Sequence, residues 1–63
     1  MTGGIVYTET VVHAADGPYQ LAIVQLDSGG RLTGRIEGPH ANIGDRVAFA
    51  EFRDEVPYFQ LAA

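Results

Sequence analysis

The chain has 63 residues, enough for one domain and too few for two. It has no cysteine, which excludes disulfides, thiolate zinc sites and cysteine catalysis. Four arginines, no lysine and eight acidic residues give a net charge of −4, which disfavours binding to a phosphate backbone. The apolar fraction of 46% is that of a globular protein. We therefore predict one globular domain over residues 1–63, whose small core is supplemented by a partner or by self-association.

The sequence carries no sign of export or of membrane insertion. The segment from Met1 to Gly4 lacks the basic start and apolar core of a signal peptide. No apolar run approaches the ~20 residues that a membrane span needs. We expect a cytoplasmic protein without a membrane partner.

The first two predicted elements are long strands. Residues 5–13 are β-branched or aromatic at most positions. Strict alternation would place Ile5, Tyr7 and Val11 on one face, and Val6, Thr8, Thr10 and Val12 on the other. The adjacent valines Val11 and Val12 indicate either a strand that is buried on both sides near its end or a bulge. The turn at 14–18 contains Asp-Gly, and Gly17 supplies a positive backbone dihedral before the strand at 19–26.

The centre of the second strand, residues 21–24, is apolar on both faces. This is expected where one face of the strand packs inside a barrel and the other contacts a surface outside it. A hairpin at 27–30 then leads into the third strand, residues 31–37. Gly34 inside that strand indicates a bend or a close backbone approach.

The longest connection, residues 38–45, has too many turn residues for a full helix. We expect Ile43 to plug the end of a barrel there. Strand four follows at 46–53, where alternation places Phe49 opposite Phe52. After a turn at 54–55, strand five covers 56–61, and Pro57 places it at an edge or marks its beginning.

Five short strands without a helix predict an all-β fold. The pattern fits a five-stranded, partly open OB-type barrel, with an SH3-like small barrel as the alternative. We predict that Phe49 and Ile23 are interior, so that truncating either to alanine costs roughly 2–5 kcal/mol.

The reactive side chains are few. His13 and His40 are the only imidazoles, and no familiar metal-ligand spacing surrounds them, so we predict neither a metal nor a cofactor. His13 at a strand end is typical of a histidine that closes a turn. His40, beside Pro39, is expected to face solvent or a partner's rim. No serine is placed to act as a nucleophile, so we predict no catalytic residues.

The third strand offers the more informative polar face. Arg31 and Arg35 share this face, and two guanidinium groups could grip a phosphate or a carboxylate. The alternative is that they pair with Glu9, Glu51 or Gln25 on neighbouring strands. Core filling accounts for about three of the aromatic rings. The others, and the tyrosines Tyr7, Tyr19 and Tyr58 above all, suit a protein interface.

Five segments occur in the order found in one known module. They are Val6 to His13, Pro18 to Asp27, Arg31 to Gly38, Ile43 to Val47 and Pro57 to Gln60. The chain resembles the OB-fold domain of the thiolase-associated, acyl-CoA-associated family, formerly a domain of unknown function. The resemblance covers almost the whole chain.

The resemblance implies an accessory subunit that docks on a thiolase-fold or related acyl-CoA enzyme without supplying the nucleophile. In that family the barrel usually follows a rubredoxin-like zinc ribbon with four cysteines, which these residues do not contain. By analogy, Tyr7, His13, Tyr19 and Arg35 lie on or near surfaces that the family uses. The partners in the family include hydratases and aldolases of sterol side-chain breakdown and polyketide-type acyltransferases.

The sequence leaves three alternative hypotheses for the function of the chain. The first is the non-catalytic interaction module, with self-association as a further possibility. The second, from fold analogy alone, is a single-stranded nucleic-acid binder. The third is a small independent enzyme that uses His13 or His40.

Overall fold

The computed structural model describes residues 2–62 and contains five strands in chain order. They are β1 (Gly3–Ala14), β2 (Gly17–Leu26), β3 (Arg31–Ile36), β4 (Arg46–Arg53) and β5 (Val56–Leu61). Within residues 2–62 there is no helix, and so none long and apolar enough to cross a membrane. Met1 and Ala63, the ends of the predicted domain, lie outside the described residues. The predicted all-β class is confirmed.

The strands form a closed barrel in the order β1-β2-β3-β5-β4. β1 is long enough to pair with β2 from Gly4 to Ala14 and with β4 from Gly3 to Ile5. The other closing contact is the short parallel pairing of β3 with β5. A five-stranded barrel of this kind is the OB-type architecture that the strand pattern predicts.

A bulge in β1 changes which side chains face inward. The register shifts between Val6, which lies opposite Val24, and Thr8, which lies opposite Ile23. Because two residues of β1 then oppose one of β2, the alternation reverses after Tyr7. Val6 therefore points inward while Thr8 and the alternate residues after it point outward. The predicted common face for these residues is wrong, and the bulge lies at Tyr7, four residues before the first residue of the valine pair that suggested one.

A second bulge, at Ala50, acts in the same way on β4. The register shifts between Phe49, opposite Phe59, and Glu51, opposite Tyr58. Phe49 and Phe52 consequently share a face, and their ring centroids are 5.0 Å apart. The prediction that these two rings lie on opposite faces is wrong for this reason.

The core consists of apolar side chains from every strand and from the connection between β3 and β4. Its members are Val6, Ala22, Val24, Ile36, Ala41, Val47 and Phe59. Phe49 packs against this core from a partly buried position, in keeping with its predicted interior location. The prediction for Ile23 is wrong: Val24 is fully buried, so the alternate residue Ile23 lies on the outer face and is half-buried.

Gly34 confirms the predicted close approach. A Cβ at this position would lie 2.7 Å from the carbonyl oxygen of Pro57 and 2.9 Å from the ring of Phe59. Only glycine at this position lets β5 lie beside β3 at this separation. Pro57 is the second residue of β5, so its missing N–H lies at the beginning of the strand.

The connection between β3 and β4 is held at two places: Gly44 and Asp45 bond to the backbone of Val6, and the buried side chain of Gln20 bonds to Ala41. The Gln20 amide donates to the Ala41 carbonyl at 2.6 Å and accepts from the Ala41 N–H at 3.0 Å. Gln20 thereby bonds both backbone groups of Ala41, as a neighbouring strand would. Ile43 is 64% exposed, so the expectation that it plugs the barrel is wrong, and Ala41 is the buried residue of this loop.

Candidate functional site

One groove on the barrel collects several of the predicted surface residues. It lies where β2 begins, β3 ends and the β4–β5 hairpin turns back, and its volume is about 490 Å³. We call it the Arg35 groove. Its lining residues are Val11, Pro18, Tyr19, Gln20, Arg35, Ile36, Glu37, Gly38, His40, Arg53 and Tyr58. The face of strands two and three, with the adjoining loops, is where OB folds bind extended ligands.

Arg35 occupies the middle of the groove because β3 lies between β2 and β5 in the sheet. Its Cζ is 4.0 Å from the ring centroid of Tyr19 on β2 and 5.4 Å from that of Tyr58 on β5. A cation over an aromatic face is attracted by the ring's quadrupole. The three side chains therefore form one ordered aromatic and cationic surface.

Arg53 brings a second cation to the same groove, but its charge is already compensated. Its guanidinium donates to Glu37 at 2.7 Å and also to Glu51. The hydrogen bond to Glu51 raises the pKa of Arg53 above its usual value. Its Cζ lies 4.5 Å from the centroid of Tyr58, so this ring contacts arginines from two strands.

The third polar feature is a small cluster at the inner end of the groove. Gln20 donates to Glu9 at 3.0 Å, and its Nε2 lies 3.4 Å from Nε2 of His40. His40 and Glu9 are 4.0 Å apart, and about half of the His40 side chain is exposed. The predicted solvent-facing position of His40 agrees with this exposure.

The remaining predicted surface residues lie elsewhere. Arg31 stacks over Tyr7 at 3.9 Å and donates to Gln25 at 3.1 Å, as the cross-strand alternative expects. His13 is exposed opposite Pro18, near the β1–β2 turn, and does not line the groove. Arg31 and Arg35 are four residues apart, about 13 Å along a strand, and each lies over its own tyrosine. The structure does not bring them together on one anion.

An apolar depression of about 250 Å³ lies on the outer face of β1, β2 and β3. We call its outward side chains, Thr8, Thr10, Leu21, Ile23 and Thr33, the Leu21 patch. Leu21 is the register partner of Arg35, so the patch and the Arg35 groove are adjacent. The two apolar faces of β2 thus have different surroundings: one is the core and the other is this open surface.

The site contains residues that the sequence did not single out as functional. Arg53, Glu37 and Gln20 all line the groove, but their convergence depends on the pairing of β3 with β2 and with β5. No motif spacing signals a contact between strands that lie so far apart in the chain. Within residues 2–62 no group of three or more histidine or acidic side chains could hold a metal ion.

Comparison with protein families identifies the module. The family described as "ChsH2, C-terminal OB-fold domain" matches residues 2–53. The searches of curated proteins and of solved structures returned no match. The match covers β1 to β4, including both bulged strands and the whole connection that Gln20 holds. The chain belongs to the family of ChsH2 C-terminal OB-fold domains.

Proposed function

We propose that the chain is a non-catalytic interaction module that docks on a thiolase-fold or related acyl-CoA-handling protein in the cytoplasm. The observation that carries the proposal is the second apolar face of β2. Leu21 and Ile23 are half-buried on the outside of a barrel whose core is already filled by Val24 and its neighbours. Apolar surface kept beside ordered tyrosines and arginines is typical of protein interfaces.

The family assignment supports an OB-fold module, and the class of partner rests on the sequence resemblance. By its description the matched domain is the C-terminal OB-fold domain of ChsH2. The resemblance of the sequence to thiolase-associated modules is what points to an acyl-CoA enzyme. In this proposal the barrel contributes surface to the complex, and the partner contributes the nucleophile. The isolated chain is accordingly expected not to turn over acyl-CoA.

Docking can be tested with a thiolase-fold protein encoded beside this chain. Thr33→Glu puts a charge into the Leu21 patch at an already exposed position, so we expect at least a tenfold loss of affinity without unfolding. Ile23→Glu should have a larger effect at the centre of the patch. The measurement is isothermal titration calorimetry, with circular dichroism to verify the fold.

Gln60→Glu is the matched control, because Gln60 is exposed on β5 and does not line the patch. It adds the same charge and should leave the affinity within about twofold. Equal losses from Thr33→Glu and Gln60→Glu, or no binding by the unmodified chain, would overturn the proposal.

A single-stranded nucleic acid is the second candidate ligand. The observation that favours it is the row of tyrosines and arginines on the face that OB folds use for oligonucleotides. The charge of −4 and the carboxylates bound to Arg46 and Arg53 weigh against it.

A further inference from the structure

Arg35 differs from the other arginines in how its N–H groups are used. Arg31 donates to Gln25, Arg46 donates to Asp27, and Arg53 donates to Glu37 and Glu51. Within residues 2–62, Arg35 donates to no acceptor and forms no ion pair. Its five N–H donors are therefore available to a ligand in the groove.

The guanidinium is nevertheless held in place. It is half-buried, with its Cζ over Tyr19 at 4.0 Å and within 5.4 Å of Tyr58. No hydrogen bond or ion pair within residues 2–62 uses its N–H groups, so they remain free to donate while the Cζ lies over the ring. An arginine that is already ordered loses less side-chain entropy on binding, so a hydrogen-bonding partner gains affinity.

The charge in the groove distinguishes between anions. Arg53 is neutralised by Glu37 and Glu51, which leaves Arg35 as the one uncompensated arginine among the described lining residues. Arg53 with its two carboxylates, Glu37 and Glu51, carries one net negative charge, which repels a doubly charged phosphate more strongly than a singly charged carboxylate. A carboxylate carries a single charge, and its two oxygens match two parallel N–H groups of a guanidinium.

We propose that Arg35 is a binding site for a carboxylate, namely an aspartate or glutamate side chain of the protein on which the chain docks. The protein source of that carboxylate rests on the proposed function. The geometry places the carboxylate beside the rings of Tyr19 and Tyr58, next to the Leu21 patch. The acidic side chain thus enters the groove while apolar surface of the same partner covers the patch.

The site can be tested without a partner protein. The isotopically labelled chain has four arginines, whose Nε–H signals can be followed separately by nuclear magnetic resonance. Titration with glutamate capped at both ends, at constant ionic strength, should shift the Arg35 signal several times more than that of Arg31. Arg31 is the internal control, because it also stacks on a tyrosine but already donates to Gln25.

Capped glutamine, which has the same shape without the charge, should produce no more than a small fraction of the Arg35 shift. Capped glutamate should also shift the ring signals of Tyr19 and Tyr58 in the unmodified chain, and these shifts should be absent in Arg35→Gln. Equal responses to capped glutamate and capped glutamine would overturn the site. A larger, saturable response to inorganic phosphate than to capped glutamate would overturn the assignment to a carboxylate.

A second measurement separates this inference from the docking proposal. Arg35→Gln should lower the affinity for the thiolase-fold protein at least tenfold, whereas Arg31→Gln should change it by less than about threefold. If the unmodified chain does not bind the thiolase-fold protein but capped glutamate still shifts the Arg35 signal selectively, the docking proposal alone is refuted. Docking with an unselective titration, or docking that Arg35→Gln leaves unchanged, would refute the carboxylate site alone.

Discussion

At the scale of single residues, Gln20 combines a structural and a positional role. It is the one buried polar side chain in the described core, only 7% exposed. Its amide satisfies both backbone groups of Ala41 and also reaches Glu9 and His40. A buried amide is tolerated when its partners are complete, and each lost partner then costs the desolvation of a buried group.

Replacing Gln20 with leucine should therefore destabilise the chain by about 2–4 kcal/mol, since the Ala41 N–H and carbonyl both lose their partner. Urea unfolding followed by far-ultraviolet circular dichroism measures the change. Gln25→Leu is the control, because the Gln25 amide bonds with Gly30 and Arg31 at the exposed surface. Its cost should stay within about 0.5 kcal/mol. Similar midpoints for the two variants would show that Gln20 does not hold the loop.

At the scale of the elements, the β4–β5 hairpin carries visible backbone strain. Its two-residue loop, Asp54 and Glu55, has φ values of 49° and 67°. Both residues therefore adopt the left-handed conformation of a type I′ turn, for which asparagine and glycine are preferred. A non-glycine residue costs about 1–2 kcal/mol in this conformation.

Glu55→Gly should accordingly stabilise the chain by roughly 0.5–1 kcal/mol, the relief of strain being partly offset by greater freedom of the unfolded chain. The thermal midpoint should rise by several degrees, since a domain this small gains about 4–8 °C per kcal/mol. Asp16→Gly, in the other two-residue hairpin, is the matched control. Asp16 is not among the positive-φ residues, so its replacement should lower the midpoint. A fall in the midpoint for Glu55→Gly would contradict the assigned turn.

The elements also show where sequence reasoning succeeds and where it stops. The bounds of β4 and β5 were predictable to the residue, because turn residues flank them. The face of the sheet on which Thr8 and Phe52 lie could not be predicted, because simple alternation assumes an unbroken period and each residue follows a bulge. Tyr19, Arg35 and Tyr58 could be named as surface residues. Their meeting in one groove could not be predicted, because it depends on a parallel pairing between distant strands.

At the scale of the whole molecule, charge and topology act together on the choice of ligand. The net charge is −4, and Arg46 and Arg53 are bound to carboxylates of the same chain. The hydrogen bond to Asp27 raises the pKa of Arg46 above its usual value. Few cations remain to release counterions from a nucleic acid, although the barrel presents aromatic rings in suitable places.

We therefore expect no binding of a labelled single-stranded oligonucleotide at low ionic strength up to micromolar concentrations of the chain. Fluorescence anisotropy provides the measurement. A basic OB-fold protein in the same assay verifies that binding is detectable. Salt-sensitive binding that Tyr19→Ala weakens would make the nucleic-acid alternative the better description.

The short pairing of β3 with β5, which closes the barrel, lies beside the Arg35 groove, so a ligand bound there affects the stability of the fold. β3 and β5 meet in two registered pairs, Arg35 with Tyr58 and Ile36 with Phe59, followed by the bond from the Glu37 N–H to the Phe59 carbonyl. A ligand that binds both Arg35 and Tyr58 would therefore link β3 to β5 where the barrel closes. A ligand present at a hundred times its Kd adds about 2.7 kcal/mol to the folded state. Ligand binding and folding of this small domain are thus linked, and a partner protein that fills the groove also stabilises the fold that it recognises.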